Sequence, residues 1–194
     1  VVKVHSLREY FRDSLHSALE HQQVSVGGET EQYVVNLLTL FAHSDALFEQ
    51  TADGARIRPL VVMLADALEA HSARERCAGL QRLGDVSLFV AGFFAQGFAR
   101  KLIDIDYHIA MGGRAYGTLS EAVRRSGRAA LGPVFGELAA KFQQMVDALN
   151  EVSEAGYQYS DRDILRLYEV WLKTGSRRAE RLLSGLGVAP AAGA

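Results

Sequence analysis

Cysteine is almost absent from this chain, and its absence excludes two classes of protein. Among 194 residues there is one cysteine, Cys77. No internal disulfide can form, and no pair of cysteines can hold a structural zinc ion. A chain of this length can bury a stable core without either kind of support. We therefore expect a protein of a reducing compartment, the cytoplasm.

An excess of charge of one sign is also missing. Lysine and arginine number 21 and aspartate and glutamate 23, so the net charge is −2. Binding to DNA or RNA depends on many contacts between basic side chains and phosphates, so we expect no nucleic-acid partner. The longest uncharged run, residues 86–99, is shorter than the roughly 20 apolar residues of a membrane-spanning helix. We therefore expect no membrane span.

The motifs of several common enzyme classes do not occur in the sequence. No glutamate is followed three positions later by histidine, as di-iron helical bundles require. The His-Glu-x-x-His zinc motif, the glycine spacing of a phosphate-binding loop and the Gly-x-Ser-x-Gly elbow are also missing. An enzyme built on this chain would need a less regular arrangement of side chains.

Helical periodicity is present along most of the chain, and no alternating pattern longer than a few residues indicates strands. Apolar residues recur at helical spacing in about seven or eight segments, which predicts an all-α, single-domain bundle over residues 1–187. Residues 188–194 are expected to form a disordered tail. Ser44 is expected to cap a short helical continuation through Gln50.

The uncharged run predicts a central, buried helix over about residues 85–100, because helices that are apolar on nearly all sides are usually buried. The capping-box pattern Ser-Ala-Arg-Glu at residues 72–75 places a helix start near its second residue. The sequence leaves open whether that helix continues through Gly84 and Asp85 or whether Asp85 caps a new one.

Two of the other helices have clear apolar stripes. The helix that Pro59 begins is expected to bury Leu60, Leu64 and Leu68, with Val61 and Met63 beside them. The helix that follows the central one is expected to bury a longer stripe. Its members are Ile105, Ile109, Gly112, Tyr116, Leu119 and Val123.

Charged and ring-bearing side chains directly after the central helix form the best candidate site. Asp104 and His108 lie four positions apart and would share one helix face. Two carboxylates and an imidazole suit a divalent cation or acid–base chemistry, so Asp104 and His108 are candidate metal ligands. The other interpretation is that these residues only cap a helix, pack or face solvent. The full candidate set is Phe93, Phe94, Asp104, Asp106, Tyr107, His108, Met111, Arg114 and Tyr116.

The phenylalanines of the central helix indicate either plain core or the lining of an apolar pocket. Phe89, Phe93, Phe94 and Phe98, together with Met111, would suit a lipid or a haem. A haem would require an axial ligand, and the donors present are His43, His71 and His108, among which spacing does not select. Gly92 and Gly97, and the later pair Gly112-Gly113, indicate a close approach by a neighbouring helix or by a ligand.

Three segments of the chain carry a resemblance to a known family. The segments YVVNLLTLFA, LGDVSLFVAGFF and RKLIDIDYHIAMG resemble an uncharacterised family of bacterial all-helical proteins, with the pattern LGDxSLFxxGFF…RKLxDxDYxxxMG. The resemblance covers about the first two-thirds of the chain. It implies a bacterial origin, and Asp104, Asp106 and Tyr107 fit its pattern. It implies no particular activity.

A heptad seam follows Pro133, which is expected to begin a helix. The seam residues are Phe135, Leu138, Phe142, Met145, Leu149 and Val152. Such a seam either packs within a bundle or forms a homodimer interface. Exposure of the seam on the protomer would favour the dimer.

Taken together, these patterns favour a binding or interaction protein. Its partner would be an apolar small molecule held against the central helix, or another protein chain. The alternative is a metal-dependent or acid–base enzyme that uses Asp104, Asp106 and His108. An enzyme predicts that these side chains converge in one enclosed pocket with further polar groups.

Overall fold

The computed structural model describes residues 6–42, 47–51, 54–93, 105–125 and 131–155, together with four residues nearer the C-terminus, Tyr168, Leu183, Ser184 and Val188.

Two compact units make up the chain, Val1–Ala155 and Gly156–Ala194. The first unit holds nearly all of the described residues. In the second unit the Val188 amide donates a hydrogen bond to the Leu183 carbonyl over 2.9 Å. The prediction of one domain that extends to residue 187 stays a prediction.

Helices dominate the described part of the first unit, which confirms the all-α class. The helices are α1 Leu7–His21, α2 Gly28–Phe41, α3 Leu60–Glu69, α4 Ala73–Phe93, α5 Ile105–Arg125, α6 Gly132–Ala140 and α7 Phe142–Ala155. Among the described residues none belongs to a helix long and apolar enough to cross a bilayer.

A small hairpin lies between α2 and α3. Strand β1, Glu49–Thr51, pairs antiparallel with strand β2, Gly54–Arg56, and Gln50 lies opposite Ala55. The predicted helical continuation through Gln50 is therefore wrong. The chain reverses direction within a few residues here, so pairing between neighbouring strands replaces hydrogen bonding along a helix.

A capping box defines the start of α4, as the sequence predicts. The Ser72 hydroxyl accepts a hydrogen bond from the Glu75 amide over 3.1 Å, and the Glu75 carboxylate accepts one from the Ser72 amide over 3.2 Å. The helix then continues without a break through Gly84 and Asp85. Asp85 is therefore a residue of the helix interior and not a cap. Residues 94–100, the end of the predicted central helix, lie outside the described residues.

Helix α4 occupies the centre of the bundle, where it contacts α2, α3, α5 and α7. Every residue from Val86 to Gly92 is buried. The buried central helix that the uncharged run predicts is thus present, and it begins about three turns earlier than residue 85.

Glycines of α4 and α5 allow neighbouring helices of the bundle to approach one another closely. A Cβ atom built on Gly112 would lie 2.2 Å from Cζ of Phe142, and one on Gly92 would lie 2.5 Å from Cβ of Leu149. One built on Gly84 would lie 2.6 Å from Cε1 of Tyr116. The close approach that Gly92 and Gly112 indicate is therefore made by protein side chains.

The predicted stripe of α5 faces the core. Gly112, Tyr116 and Leu119 are buried. The remaining three members pack against the core while partly buried; they are Ile105, Ile109 and Val123. The period of the apolar residues was sufficient to orient this helix.

The heptad seam lies inside the protomer. All six of its side chains are buried: Phe135, Leu138, Phe142, Met145, Leu149 and Val152. The seam belongs to two helices, α6 and α7, because the backbone leaves helical geometry at Lys141, with φ −114° and ψ 24°. Packing within the bundle is therefore the correct interpretation, and a homodimer through these buried residues is not supported.

Candidate functional site

The candidate residues that follow the central helix do not converge on one place. Tyr107 is 41% exposed, and Asp106 and Arg114 are also at the surface. His108 is 7% exposed and Tyr116 is fully buried. Met111 is partly buried against the core. The described members of the set therefore divide into an outward-facing and an inward-facing group. Asp104 and Phe94 lie outside the described residues.

The proposed metal site gains no support from the described part of the chain. In those residues no group of three or more histidine, cysteine, aspartate or glutamate side chains is placed to hold a metal ion. Burial lowers the pKa of His108, which favours its neutral form. The pairing of Asp104 with His108 stays a prediction, because Asp104 is not described.

Aromatic rings from other helices surround the described phenylalanines of α4. The rings of Phe89 and Phe93 stack with centroids 5.0 Å apart. Phe41 of α2 meets Phe89 at 5.2 Å, and Phe11 of α1 meets Phe93 at 6.2 Å, both edge to face. Contacts of this kind between neighbouring rings are typical of a packed core. Phe98 and His43 lie outside the described residues.

A partly buried carboxyl group on α4, that of Asp85, is the most unusual polar feature beside the core. Oδ1 of Asp85 accepts a hydrogen bond from the Tyr33 hydroxyl of α2 over 2.7 Å and one from the Tyr116 hydroxyl of α5 over 2.6 Å. The side-chain amide of Gln81, one turn earlier on α4, donates to the Tyr33 hydroxyl over 2.9 Å. We call Asp85, Tyr33, Tyr116 and Gln81 the Asp85 network. It joins three helices through one oxygen atom.

Packing fixes the two tyrosines of the network. Phe135 of α6 meets the Tyr33 ring edge to face at 5.5 Å and stacks on the Tyr116 ring at 5.7 Å. Gly84 leaves the space in which the Tyr116 ring lies. These apolar contacts hold both rings whether Asp85 is neutral or ionised. The two hydroxyl groups therefore already point at the carboxyl group when it is neutral.

Burial dominates the electrostatics of the network. It raises the pKa of Asp85 to about 6, although the two tyrosine hydrogen bonds and the nearby positive charge of Arg82 act in the opposite direction. Burial and the negative charge of Asp85 also raise the pKa of Tyr33 and of Tyr116, so both phenols stay protonated. The carboxyl group can therefore take up and release a proton near neutral pH, which is a property of many functional sites.

A cleft of about 180 Å³ lies between the hairpin, α3 and α4. Arg58 forms ion pairs with Glu49 and with Asp66 in this cleft, and Arg82 donates to the Leu47 carbonyl over 3.5 Å. The two basic and two acidic side chains balance one another, so the cleft has no strong preference for an anion or a cation. Its lining consists of Leu47, Glu49, Ile57, Arg58, Met63, Asp66, Gly79, Arg82 and Val86.

Helix α3 exposes an apolar face next to this cleft. Val61 is 60% exposed and Leu68 is 54% exposed, and Val62 and Ala65 are exposed between them. We call these four residues the outer face of α3. The residues that α3 buries are Leu60, Met63 and Ala67. The predicted stripe is therefore correct at Leu60 and wrong at Leu68, while Leu64 is only partly buried.

Asp85 and the outer face of α3 are the two features that the sequence analysis missed. For Asp85 one signal was present, a single acidic residue at the edge of a long uncharged run. For α3 the signal was a ten-residue segment with apolar residues on all sides. Comparison of this chain with protein-family models, with curated proteins and with solved structures found no match.

Proposed function

We propose that this chain is an interaction protein that binds a partner protein through the outer face of α3. The observation that carries the proposal is the exposure of Val61, Val62 and Leu68 together on one helix. The other exposed large apolar side chains among the described residues belong to other parts of the bundle; they are Leu7, Tyr10, Leu40, Tyr107 and Leu131. Contiguous exposed apolar side chains cost solubility, and on folded proteins they commonly mark interaction surfaces.

The shape of this face suits an amphipathic helix of the partner. Val61, Ala65 and Leu68 follow the i, i+4, i+7 spacing of a single helical stripe. The small side chain of Ala65 lies between the two larger ones, which allows a second helix to pack close to the axis of α3. The complementary surface is an apolar stripe of similar length.

Charge at the C-terminal end of α3 suggests a further property of that partner. The last turn of α3 contains no basic residue, and Asp66 and Glu69 are exposed there. Carboxylates at this end interact unfavourably with the carbonyl end of their own helix. Asp66 forms an ion pair with Arg58, and a lysine or arginine beside the apolar stripe of a partner would offset the unfavourable interaction of Glu69 with this helix end.

A protein partner explains the structure better than an apolar small molecule held against α4. Phe89 and Phe93 are already in contact with Phe41 and Phe11, so the described rings are occupied by the protein itself. Four of the nine residues that line the cleft beside α3 are charged, and Arg58 is paired there with Glu49 and Asp66. Neither location offers the enclosed apolar volume that small ligands usually occupy.

Site-specific photocrosslinking tests the proposal. A benzophenone amino acid replaces Val61 or Leu68 in the full chain, expressed in the cells that naturally make it, and replaces the exposed Glu121 of α5 as the control. We expect a discrete adduct with another protein from positions 61 and 68, and none from 121. The Leu68→Glu substitution should abolish the adduct formed from position 61.

Two results would count against the proposal. An adduct with twice the mass of the chain would identify a second copy as the occupant in place of a different protein. Equal crosslinking at positions 61, 68 and 121, or no adduct at all, would show that the outer face of α3 is not a specific binding surface.

A further inference from the structure

The cleft between the hairpin, α3 and α4 combines an apolar floor with a charged rim. Three buried side chains, which we call the floor, lie at its base: Leu47, Met63 and Val86. Four charged side chains, which we call the rim, lie around them: Glu49, Arg58, Asp66 and Arg82. A molecule that fills this cleft therefore needs an apolar part and meets charges of both signs.

The volume of the cleft limits the size of such a molecule. The cleft encloses about 180 Å³. That is the space of about six water molecules at roughly 30 Å³ each, and it is smaller than the roughly 300–1,000 Å³ of pockets for drug-sized ligands. The cleft therefore suits a molecule of the size of a free amino acid.

The rim carries an excess of negative charge where the hairpin faces α3. Glu49 and Asp66 share the guanidinium group of Arg58, whose Nη1 lies 3.5 Å from Oε1 of Glu49. Two carboxylates paired with one cation leave one negative charge over among these three lining residues. The carboxylate side chains are 52% and 50% exposed, and a carboxylate can accept hydrogen bonds in addition to one ion pair. An ammonium group can therefore bind here without displacing Arg58.

The rim is positive where Arg82 extends from α4. The Arg82 guanidinium donates to the Leu47 carbonyl over 3.5 Å and lies 4.9 Å from the centre of the Phe41 ring. These contacts hold the cation beside the floor. A guanidinium group can bind a carboxylate through two parallel hydrogen bonds, so Arg82 is the natural partner for a carboxylate in the cleft.

We propose that this cleft binds a free α-amino acid with an apolar side chain. The α-ammonium group of the ligand lies against Glu49 and Asp66, its α-carboxylate lies against Arg82, and its side chain packs on the floor. A simple anion or a simple cation meets one favourable and one unfavourable part of the rim, whereas a zwitterion satisfies both parts at once. None of the rim residues belongs to the outer face of α3, so this site does not depend on the proposed protein partner.

Titration of the full chain with L-valine, L-leucine and L-methionine, followed by NMR, tests the proposal. We expect at least one of the three to saturate a single site and to shift the methyl signal of Met63. Its analogues without the ammonium or without the carboxylate group should bind about tenfold more weakly or worse, because each lacks one charged hydrogen-bonding group. For leucine these analogues are 4-methylpentanoate and 3-methylbutylamine.

Two variants of the rim distinguish ligand contacts from damage to the fold. Glu49→Gln should weaken the binding of the amino acid and the amine but not that of the carboxylate analogue. Arg82→Gln should weaken the binding of the amino acid and the carboxylate analogue but not that of the amine. A loss of folding would instead affect both analogues alike. Glu121→Gln, at an exposed position of α5, is the control and should bind as the wild type does.

Two results with the wild-type chain alone would overturn the proposal. The first is the absence of saturable binding of all three amino acids at millimolar concentrations. The second is binding of either analogue as tight as that of the amino acid, because the cleft would then not require both charges.

Discussion

The Tyr116 hydroxyl and the Asp85 carboxyl group are joined by a hydrogen bond of 2.6 Å between the interiors of two long helices. Tyr116 is fully buried, and its ring lies over Gly84, the residue that precedes Asp85. The same pair of helices therefore combines a close approach at Gly84 with a partly buried acidic group. This arrangement links the stability of the core to pH.

The first prediction concerns the pH dependence of stability. The pKa of Asp85 is about 6 in the folded chain, against an ordinary value of 3.8, so the folded state binds the proton more tightly than the unfolded state does. The contribution of this group is therefore most favourable below about pH 4 and is lost as the pH rises through 6. Between pH 5 and 7.5 the free energy of unfolding should fall by about 1.4 kcal/mol from this source.

The Asp85→Asn variant provides the comparison, because other titrating groups are common to both proteins. In denaturant unfolding the variant should lack this decrease. Its free energy of unfolding minus that of the wild type should therefore rise from pH 5 to pH 7.5. A difference that stays constant from pH 5 to pH 7.5 would contradict the assignment.

The second prediction concerns the two tyrosine donors. Tyr116→Phe and Tyr33→Phe each remove one hydrogen bond to the Asp85 carboxylate, and hydrogen bonds to charged groups contribute about 1.5–3 kcal/mol. We expect a loss of that size at pH 7.5 and a smaller loss at pH 5, where the carboxyl group is neutral. Tyr10→Phe, at an exposed position of α1, is the control and should have little effect. Equal losses at both pH values would show that the hydroxyl groups do not serve the charged form.

The third prediction compares two neighbouring glycines of α5. A Cβ atom at Gly112 would lie 2.2 Å from Cζ of Phe142, whereas one at Gly113 would lie 3.7 Å from Cβ of Phe142, which is ordinary contact. We expect Gly112→Ala to destabilise the chain by about 1–3 kcal/mol through overpacking. Gly113→Ala should instead stabilise it by about 0.5–1 kcal/mol, because alanine favours the helix. Thermal unfolding of the two variants side by side checks the sign of each change, and equal signs would contradict the packing of Gly112 in α5 against Phe142 in α7.

The fourth prediction distinguishes the two faces of α3. Met63→Ala removes a buried side chain and should cost about 2–4 kcal/mol, whereas Leu68→Ala should change the free energy of unfolding by less than about 0.5 kcal/mol. Both substitutions introduce alanine into the same helix, so helix propensity contributes little to the contrast. If Leu68→Ala were as costly as Met63→Ala in denaturant unfolding, the outer face of α3 would be covered within the protomer.

Local sequence signals were sufficient where the physical cause is itself local. The Ser72 and Glu75 side chains bond to backbone groups three residues away. The start of α4 can therefore be predicted from four consecutive residues. The buried side of α5 follows from the spacing of its apolar residues. Gly112 could be recognised as a site of close approach, although the choice between helix and ligand required the structure.

The sequence did not reveal the role of Asp85, because its partners are distant in the chain. Tyr33 and Tyr116 lie 52 and 31 positions away. Locally, an aspartate after a glycine looks like a helix cap, and no short-range rule opposes that interpretation. Burial of the carboxyl group depends on the packing of α2, α5 and α6 around it, which is a property of the tertiary structure.

The outer face of α3 was missed for a different reason. Eight of the ten residues of α3 are apolar, so the spacing 60, 64, 68 and the spacing 60, 63, 67 fit a helix equally well. Only the neighbours decide which stripe is buried. The surplus of apolar residues was itself the signal, since only one face of a helix on the outside of a bundle is covered by that bundle.

Titration of the Asp85 carboxyl carbon by NMR, in the wild-type chain, tests most directly whether a protonatable acid lies at the centre of this core. We expect the Asp85 carboxyl group to titrate with a midpoint near pH 6 in the wild type. In Tyr116→Phe the midpoint should be still higher, because the substitution removes a hydrogen-bond donor to the carboxylate. A midpoint at or below the ordinary value of 3.8 would contradict this expectation, because the carboxyl group would then be an ordinary solvated or ion-paired acid.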